Sequence, residues 1–388
     1  MNRRAFVRLV GGGVVLAATG PLAGCSSAIP PEAVAAWAGP GGELDLRRWI
    51  VAHAILAPHS HNLQSWLVDL RTPDEIGLRC DRQRLLPVTD PLSRQIMMSH
   101  GTFLELLVLA ARQRGQRAEI TLFPQGAFDE RTIDDRPVAR VRLVPDSSLT
   151  PDPLFTQILK RRTNRNAYDA ARPVPAESWQ ALALAMVLPD TPAPLNFGHV
   201  GLDNAAALQR HRAIASQAWQ FEMMTPAAML ESFKVLRVGA REIAEHRDGL
   251  SLTSPMVVAM SKLGLFDRSQ APAPNSYATT SQIKDFNGKI ATTPGFLWIT
   301  SEGNQRTTQV NAGRAYARVQ LAGTALGLAM HPLQQALQEY PEQAEPYAAI
   351  HALLGAPRPE RTVQMWARVG YAEPVGPAPR RGLEAHLV

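Results

Sequence analysis

The chain carries one pattern twice. Gly101–Gly115 reads Gly-Thr-Phe-Leu-Glu-Leu-Leu-Val-Leu-Ala-Ala-Arg-Gln-Arg-Gly, and Gly313–Gly327 reads Gly-Arg-Ala-Tyr-Ala-Arg-Val-Gln-Leu-Ala-Gly-Thr-Ala-Leu-Gly, so both fit Gly-x7-Leu-Ala-x4-Gly. Each is apolar enough for a buried helix, and each ends in a glycine suited to the position just past a helix C-terminus. A second correspondence lies upstream. Trp49–Pro58 and Trp179–Pro189 both read as helices stopped by proline, each leading through a turn into a strand-like segment, Ser65–Leu70 and Leu195–Val200. An internal repeat constrains a fold more than any single element, because two like units must bury like faces. At 388 residues, 45% hydrophobic and 19% charged, the chain can supply two such units and a sizeable core.

The copies differ in what they kept. After Pro58 the first carries Ser60-His61-Asn62-Leu63-Gln64-Ser65-Trp66, whose hydroxyl and amide groups donate and accept hydrogen bonds without titrating. Such groups suit the edge of a heteroaromatic ring, and an ordinary Asn/Ser turn is the competing reading. The second copy has only Asp190-Thr191-Pro192-Ala193-Pro194 there. The reverse holds ahead of Trp179, where Arg161-Arg162-Thr163-Asn164-Arg165 groups three arginines and a hydroxyl as a multidentate anion site, most economically for phosphate. The first copy has only Arg47-Arg48 at that place. Two copies folded about a pseudo-twofold would share one complete site, with the phosphate end from the second and the ring end from the first.

These residues resemble the nitroreductase family of FMN-dependent enzymes, in the branch that fuses two copies in one chain. Pro58-x-Ser60-x-Asn62-x-Gln64-x-Trp66 is similar to the family's Pro-Ser-Ser-x-Asn-x-Gln-Pro-Trp turn, with Ser65 in place of proline. Arg161–Arg165 is similar to its Arg-x-Ser-x-Arg phosphate motif, with Thr163 for serine, and Ala325–Gln335 to the Leu-Gly-Leu segment ahead of its flavin-facing turn, with Gln334 and Gln335 where Glu and Gly are usual. The C-terminal Arg380-Arg381 resembles its last basic pair. The resemblance implies an α+β, nitroreductase-like fold of two tandem repeats in an intramolecular pseudo-dimer, residues 43–150 and 151–388. It implies FMN as cofactor, its phosphate on Arg161, Arg162, Thr163, Arg165 and Arg381. Ser60, Asn62 and Gln64 would meet the pyrimidine edge or ribityl chain, and the main chain of Leu333, Gln334 and Gln335 the redox-active side of the ring. Nitroaromatic or quinone-like small-molecule acceptors are the implied substrates, with no catalytic side chain named because the flavin carries the hydride chemistry.

Between the repeats' motifs, 204–289 is a long insertion holding Met223, Met224, Met229, Met256 and Met260, which reads as extra core or, by resemblance, as a lid over the flavin. The first half reads helix, strand, strand (Glu75–Asp81), long helix, then strands near Glu119–Phe123 and Pro137–Val144. The second reads a helical run at Pro153–Lys160, then helix, strand, helices, strand (Gly295–Ser301), long helix, short helices and a strand at Thr362–Tyr371.

The N-terminus reads as an export signal at 1–24. Arg3-Arg4 is a twin-arginine pair, Leu9–Gly20 a short apolar run, and Leu22-Ala23-Gly24-Cys25 resembles a bacterial lipobox that places a lipid on Cys25. Residues 25–42, rich in Ala, Pro and Gly, are expected to be a flexible tether. The protein is then lipid-anchored in the periplasm or cell envelope, with no further oligomerisation required. NAD(P)H is not expected there, which leaves the electron donor open. Three positive charges of the formal +6 lie in the signal, and no basic run with interleaved aromatics suggests a nucleic-acid partner. His53, His59 and His61 raise a metal site as a minor alternative, with few carboxylates near. The rival functions are a flavin carrier, store or sensor with a closed site, and a cofactor-free, lipid-anchored scaffold.

Overall fold

The computed structural model describes residues 28–189, 191 and 194–388. The expected signal and lipidated Cys25, and Asp190, Pro192 and Ala193 of the second copy's turn, lie outside the described residues. In the first half, helix α1 (Leu46–Ala54) starts where Asp45 accepts from the Arg47 and Arg48 N–H groups, at 2.8 and 3.2 Å. Strands β1 (Trp66–Asp69) and β2 (Glu75–Cys80) follow, then α2 (Arg94–Gln113), β3 (Gln116–Leu122) and β4 (Ala139–Pro145). The second half has α3 (Ala176–Ala185) and β5 (Leu195–Val200), then the insertion. Within the insertion lie α4 (Ala205–Met224), α5 (Pro226–Lys234), β6 (Leu236–Val238), α6 (Gly239–His246), β7 (Leu250–Leu252), α7 (Pro255–Lys262) and α8 (Tyr277–Ala291). The core of the half resumes with β8 (Gly295–Glu302), α9 (Arg306–Ala325), β9 (Ala329–Pro332), α10 (Ala344–Leu353) and β10 (Arg361–Gly370).

The two main sheets have one topology. Their strand orders are β1-β2-β4-β3 and β5-β8-β10-β9, antiparallel throughout, and both place a long helix after the second strand in sequence order of the sheet. Those helices, α2 and α9, cross where the repeated glycines stand. A Cβ at Gly101 would lie 1.9 Å from the Val310 carbonyl oxygen, and one at Gly313 would lie 1.9 Å from that of Met98. Only glycine lets the two backbones approach so closely. The cores interlock accordingly: Val310, Ala317 and Leu321 belong to the first half's core, and Met98 to the second's. At the same crossing Glu105 is fully buried and takes Arg314 and Arg318, each at 2.9 Å, with Arg318 also on Asp152 at 3.0 Å.

Three expectations change. The tether is ordered over its described part: Pro31–Ala33 and Ala35–Ala38 form 3-10 turns, and Trp37 is only 8% exposed. One anchoring aromatic outweighs the composition around it. The helical run at Pro153–Lys160 shrinks to a 3-10 turn, Pro153–Gln157, and strand β9 was not expected. The insertion's methionines divide: Met223 and Met229 pack with Phe233 in a small core, whereas Met256 is 72% exposed. No helix of the described residues is long and apolar enough to cross a membrane. Cys80 is buried and free, its thiol pushed up to about 12 by burial.

Burial also sets an acid sensitivity. His100, His211 and His351 are held down to about 4, and His386 to about 3, mainly by desolvation. Burial pushes the Asp90 and Glu222 carboxyls up, to about 6 and about 7. Between pH 6.5 and 4 the unfolded chain protonates each histidine while the folded chain does not, so stability falls with pH. The two raised carboxyls act oppositely, because the folded state binds their protons first. His59, His61 and His331 are lowered as well, so depressed histidines outnumber the two raised carboxyls, unfolding takes up protons near pH 5, and stability should fall as the pH drops through that range. Denaturant titrations at pH 7, 6 and 5 measure this slope.

Candidate functional site

The Ser60 turn is held in costly backbone. His61, Asn62 and Gln64 all have positive φ, at 48°, 56° and 55°. Side chains there cost on the order of 1 kcal/mol each, tolerated when surrounding bonds over-determine the conformation. Those bonds come from the turn's own amides. Asn62 Nδ2 donates to the Pro379 and Gly249 carbonyls at 3.0 and 3.3 Å, and its Oδ1 accepts from Arg380. Gln64 is fully buried, with Nε2 on the Arg247 carbonyl at 3.0 Å and Oε1 accepting the Arg381 N–H at 2.9 Å. Both amides, expected at the ring or ribityl chain, are therefore spent in shaping the turn. Ser60 is only half-buried. Its N–H donates to Ser99 Oγ at 3.1 Å, and its hydroxyl lies 3.4 Å from Gln95 Oε1, whose Nε2 is buried without a partner.

The basic motif arrives beside this turn. Arg161 is 2% exposed; its Nη2 donates to the Leu56 carbonyl at 3.0 Å, its Nη1 to Gln320 Oε1 at 3.3 Å, and its Nε has no partner. Arg380, 3% exposed, donates through Nη2 to the next carbonyl, Ala57, at 3.0 Å, and its Nε is likewise orphaned. Burial holds Arg161 down to about 10 and Arg380 well below its ordinary value; the neighbouring arginines push both further in that direction. Half-buried Arg162 donates to the Leu159 and Arg161 carbonyls, both at 2.8 Å. Half-buried Thr163 stands 3.5 Å from Gln320 Nε2.

Arg165 differs from these. It is open to solvent, yet desolvation lowers its pKa, with Tyr168 and Tyr316 pulling the other way. A side chain that is both accessible and ringed by protein stands in a recess. Its positive charge depresses two histidines already lowered by burial: His61 of the first half's turn, at about 4, and His331 of β9, far below its ordinary value. Arg165 has neither hydrogen bond nor ion pair among the described residues, and no carboxylate faces Arg161, Arg162, Arg165 or Arg380. Among the described residues, buried Arg94, Arg314 and Arg318 are paired with carboxylates, whereas buried Arg306 and Arg368 meet only carbonyls and neutral side chains. This group has excess positive charge and orphaned N–H groups, the donor set an anion would satisfy. Tyr316, next to Arg161 and Arg165, adds a buried hydroxyl without a partner.

The remaining predicted positions are mixed. Leu333 spends its N–H on the Trp366 carbonyl at 2.8 Å, and Gln334 folds its side chain back onto Gln364 O and Trp366 N. Gln335 opens a 3-10 helix, whose first N–H groups have no intrahelical acceptor. Of the C-terminal pair, Arg380 rather than Arg381 joins the basic group, because Arg381 turns to the Gln64 carbonyl. Adjacent arginines in an irregular tail are not distinguishable from sequence. His331 and Tyr316 were also missed, although a lone tyrosine in the repeated apolar helix was a usable signal. Among the described residues no group of three His, Cys, Asp or Glu side chains is arranged to hold a metal.

The insertion closes over the turn. Gly249 and Asn62 exchange two contacts, Gly249 N–H to Asn62 O at 3.2 Å and Asn62 Nδ2 to Gly249 O, and Asp248 between Arg84 and Arg237 pins the same corner.

A scan of protein-family profiles finds no match for this chain. Two solved structures are similar in outline: an FMN-dependent nitroreductase from Mycobacterium smegmatis in complex with NADPH (21% identity, 59% of this chain, 94% of that one, TM-score 0.37), and a nitroreductase with bound FMN from Bacteroides fragilis (15%, 57%, 90%, TM-score 0.35). By sequence the chain is 28% identical over 353 residues, 87% of its own length and 89% of theirs, to proteins of two Mycobacterium tuberculosis strains provisionally named NAD(P)H nitroreductases.

Proposed function

We propose that the protein is an FMN-dependent oxidoreductase of the nitroreductase type, exported by the twin-arginine route, anchored in the cell envelope through a lipid on Cys25, and acting on nitroaromatic or quinone-like acceptors. One observation carries the cofactor reading: unspent Arg165 acts on His61 of the other half, and the partnerless Tyr316 hydroxyl lies near both it and buried Arg161, whose own Nε–H is orphaned. The residues fit FMN. Arg161, Thr163, Arg165 and Arg380 would hold the phosphate, Ser60 and Gln95 would offer polar groups along the ribityl chain or pyrimidine edge, and the free N–H groups at the start of the Gln335 turn would meet the ring. When bound, the flavin supplies the hydride chemistry, and the chain's own residues bind, orient and shield it.

A second reading, a flavin carrier or sensor, draws support from the hydrogen bonds that tie the insertion to the turn, from Gly249 N–H to the Asn62 carbonyl and from Gln64 Nε2 to the Arg247 carbonyl. An absorbance spectrum separates these. Protein purified with its signal intact should be yellow, bleach on adding a reductant such as NADPH or dithionite, and recover its colour with a quinone. Bound flavin that dithionite reduces but no acceptor reoxidises supports the carrier; colourless protein that takes up no FMN rejects both.

A further inference from the structure

The segment expected to be a slack tether is fastened to the anion-binding end of the site. Ala33 accepts the Arg380 N–H at 2.8 Å, and the Trp37 indole N–H donates to the Ala378 carbonyl at 2.8 Å, so this strap and the C-terminal tail hold each other. Around the Trp37 ring stand three guanidinium groups, Arg162 at 4.4 Å, Arg380 at 5.3 Å and Arg161 at 5.4 Å from the centroid. Three like charges repel and no carboxylate offsets them. The negative face of an indole ring attracts each of them, and its pull strengthens when water is excluded. Arg161 and Arg380 are also tied to consecutive carbonyls, Leu56 and Ala57, which leaves their Nε–H groups unspent. Arg162, half-buried and tied to the Leu159 and Arg161 carbonyls, lies nearest the ring of the three.

We infer that Trp37 is a specificity-determining positioning residue: its ring gathers Arg161, Arg162 and Arg380 into a cradle that selects a phosphorylated flavin over the same flavin without phosphate. The inference rests on the FMN reading and adds to it the device that sets phosphate selectivity. A leucine at this position would bury apolar area without the ring's field. A phenylalanine would keep the field with less area. The two variants therefore separate packing from charge gathering.

The test titrates full-length apoprotein with FMN and with riboflavin, following flavin fluorescence, for the wild type, Trp37→Leu and Trp37→Phe, with circular dichroism as the folding check. Trp37→Leu should weaken FMN binding by about tenfold or more and riboflavin binding by less than about threefold, and Trp37→Phe should restore most of the difference. Equal losses for both flavins, or unchanged FMN binding in Trp37→Leu, overturn the inference while the cofactor reading stands. If Trp37→Leu does not fold, Trp37→Phe decides: an FMN-to-riboflavin ratio nearer the wild type's than unity supports the inference, and a ratio collapsed to unity overturns it. Wild-type protein that binds neither flavin overturns the cofactor reading and this inference together.

Discussion

Replacing either Gly101 or Gly313 with alanine should destabilise the whole molecule by about 3 kcal/mol or more, out of proportion to one methyl group. An ideal Cβ at Gly101 meets the Val310 carbonyl oxygen at 1.9 Å and the Arg314 nitrogen at 2.9 Å; at Gly313 it meets the Met98 carbonyl oxygen at 1.9 Å. These neighbours are backbone in the middle of long helices, so no side chain can swing aside. Relief requires α2 and α9 to separate, which would loosen the shared cores and stretch the buried Glu105–Arg314–Arg318 network. That network suffers most from partial separation, since an uncompensated buried charge is costly. The control is Gly288→Ala in α8, where the added methyl meets nothing. There alanine should stabilise by about 0.5–1 kcal/mol through the unfolded chain and helix propensity. Guanidinium chloride midpoints of the three variants test the argument. A Gly101→Ala protein as stable as wild type would mean the two repeats do not cross as described.

The second large effect is expected at Arg165. Its guanidinium has no partner among the described residues, so Arg165→Gln should leave the stability of the apoprotein nearly unchanged. If FMN binds as proposed, the same variant loses a charge-assisted contact to phosphate, a loss of about 1.5–3 kcal/mol and thus about 10- to 150-fold in affinity. The combination is diagnostic, because a structural arginine would lose stability first. His61 and His331 give an independent readout. With the facing charge removed, both should titrate at higher pH than in the wild type, which the imidazole resonances in a pH series would report. Unchanged FMN affinity in Arg165→Gln would place the phosphate elsewhere.

Much of this was legible in the residues. The Gly-x7-Leu-Ala-x4-Gly repeat marks the helix crossing because close approach excludes every side chain but hydrogen, so the constraint is written in residue identity. Strands such as Leu195–Val200 follow from local alternation and proline stops, which need no long-range knowledge. The union of the Ser60 turn with the Arg161 motif followed from complementary losses in the two copies, and Arg165 beside His61 agrees with it. The details of that union were not legible. Whether Asn62 and Gln64 face a ligand or their own backbone depends on carbonyls at Gly249, Arg247 and Pro379, far along the chain. Which of Arg380 and Arg381 points inward depends on how the tail meets Ala33 and Gln64.

Residue spacing and side-chain chemistry were enough to specify the duplicated unit, the positions where two helices must touch, and the residue types able to hold an anion, because none of these depends on a distant partner. Tertiary structure alone decided which of those groups remain unspent. Hydrogen-bond capacity is finite, and a donor far away in sequence can consume an amide that looks free, as Arg380 does to Asn62, or leave a cation without a partner, as at Arg165.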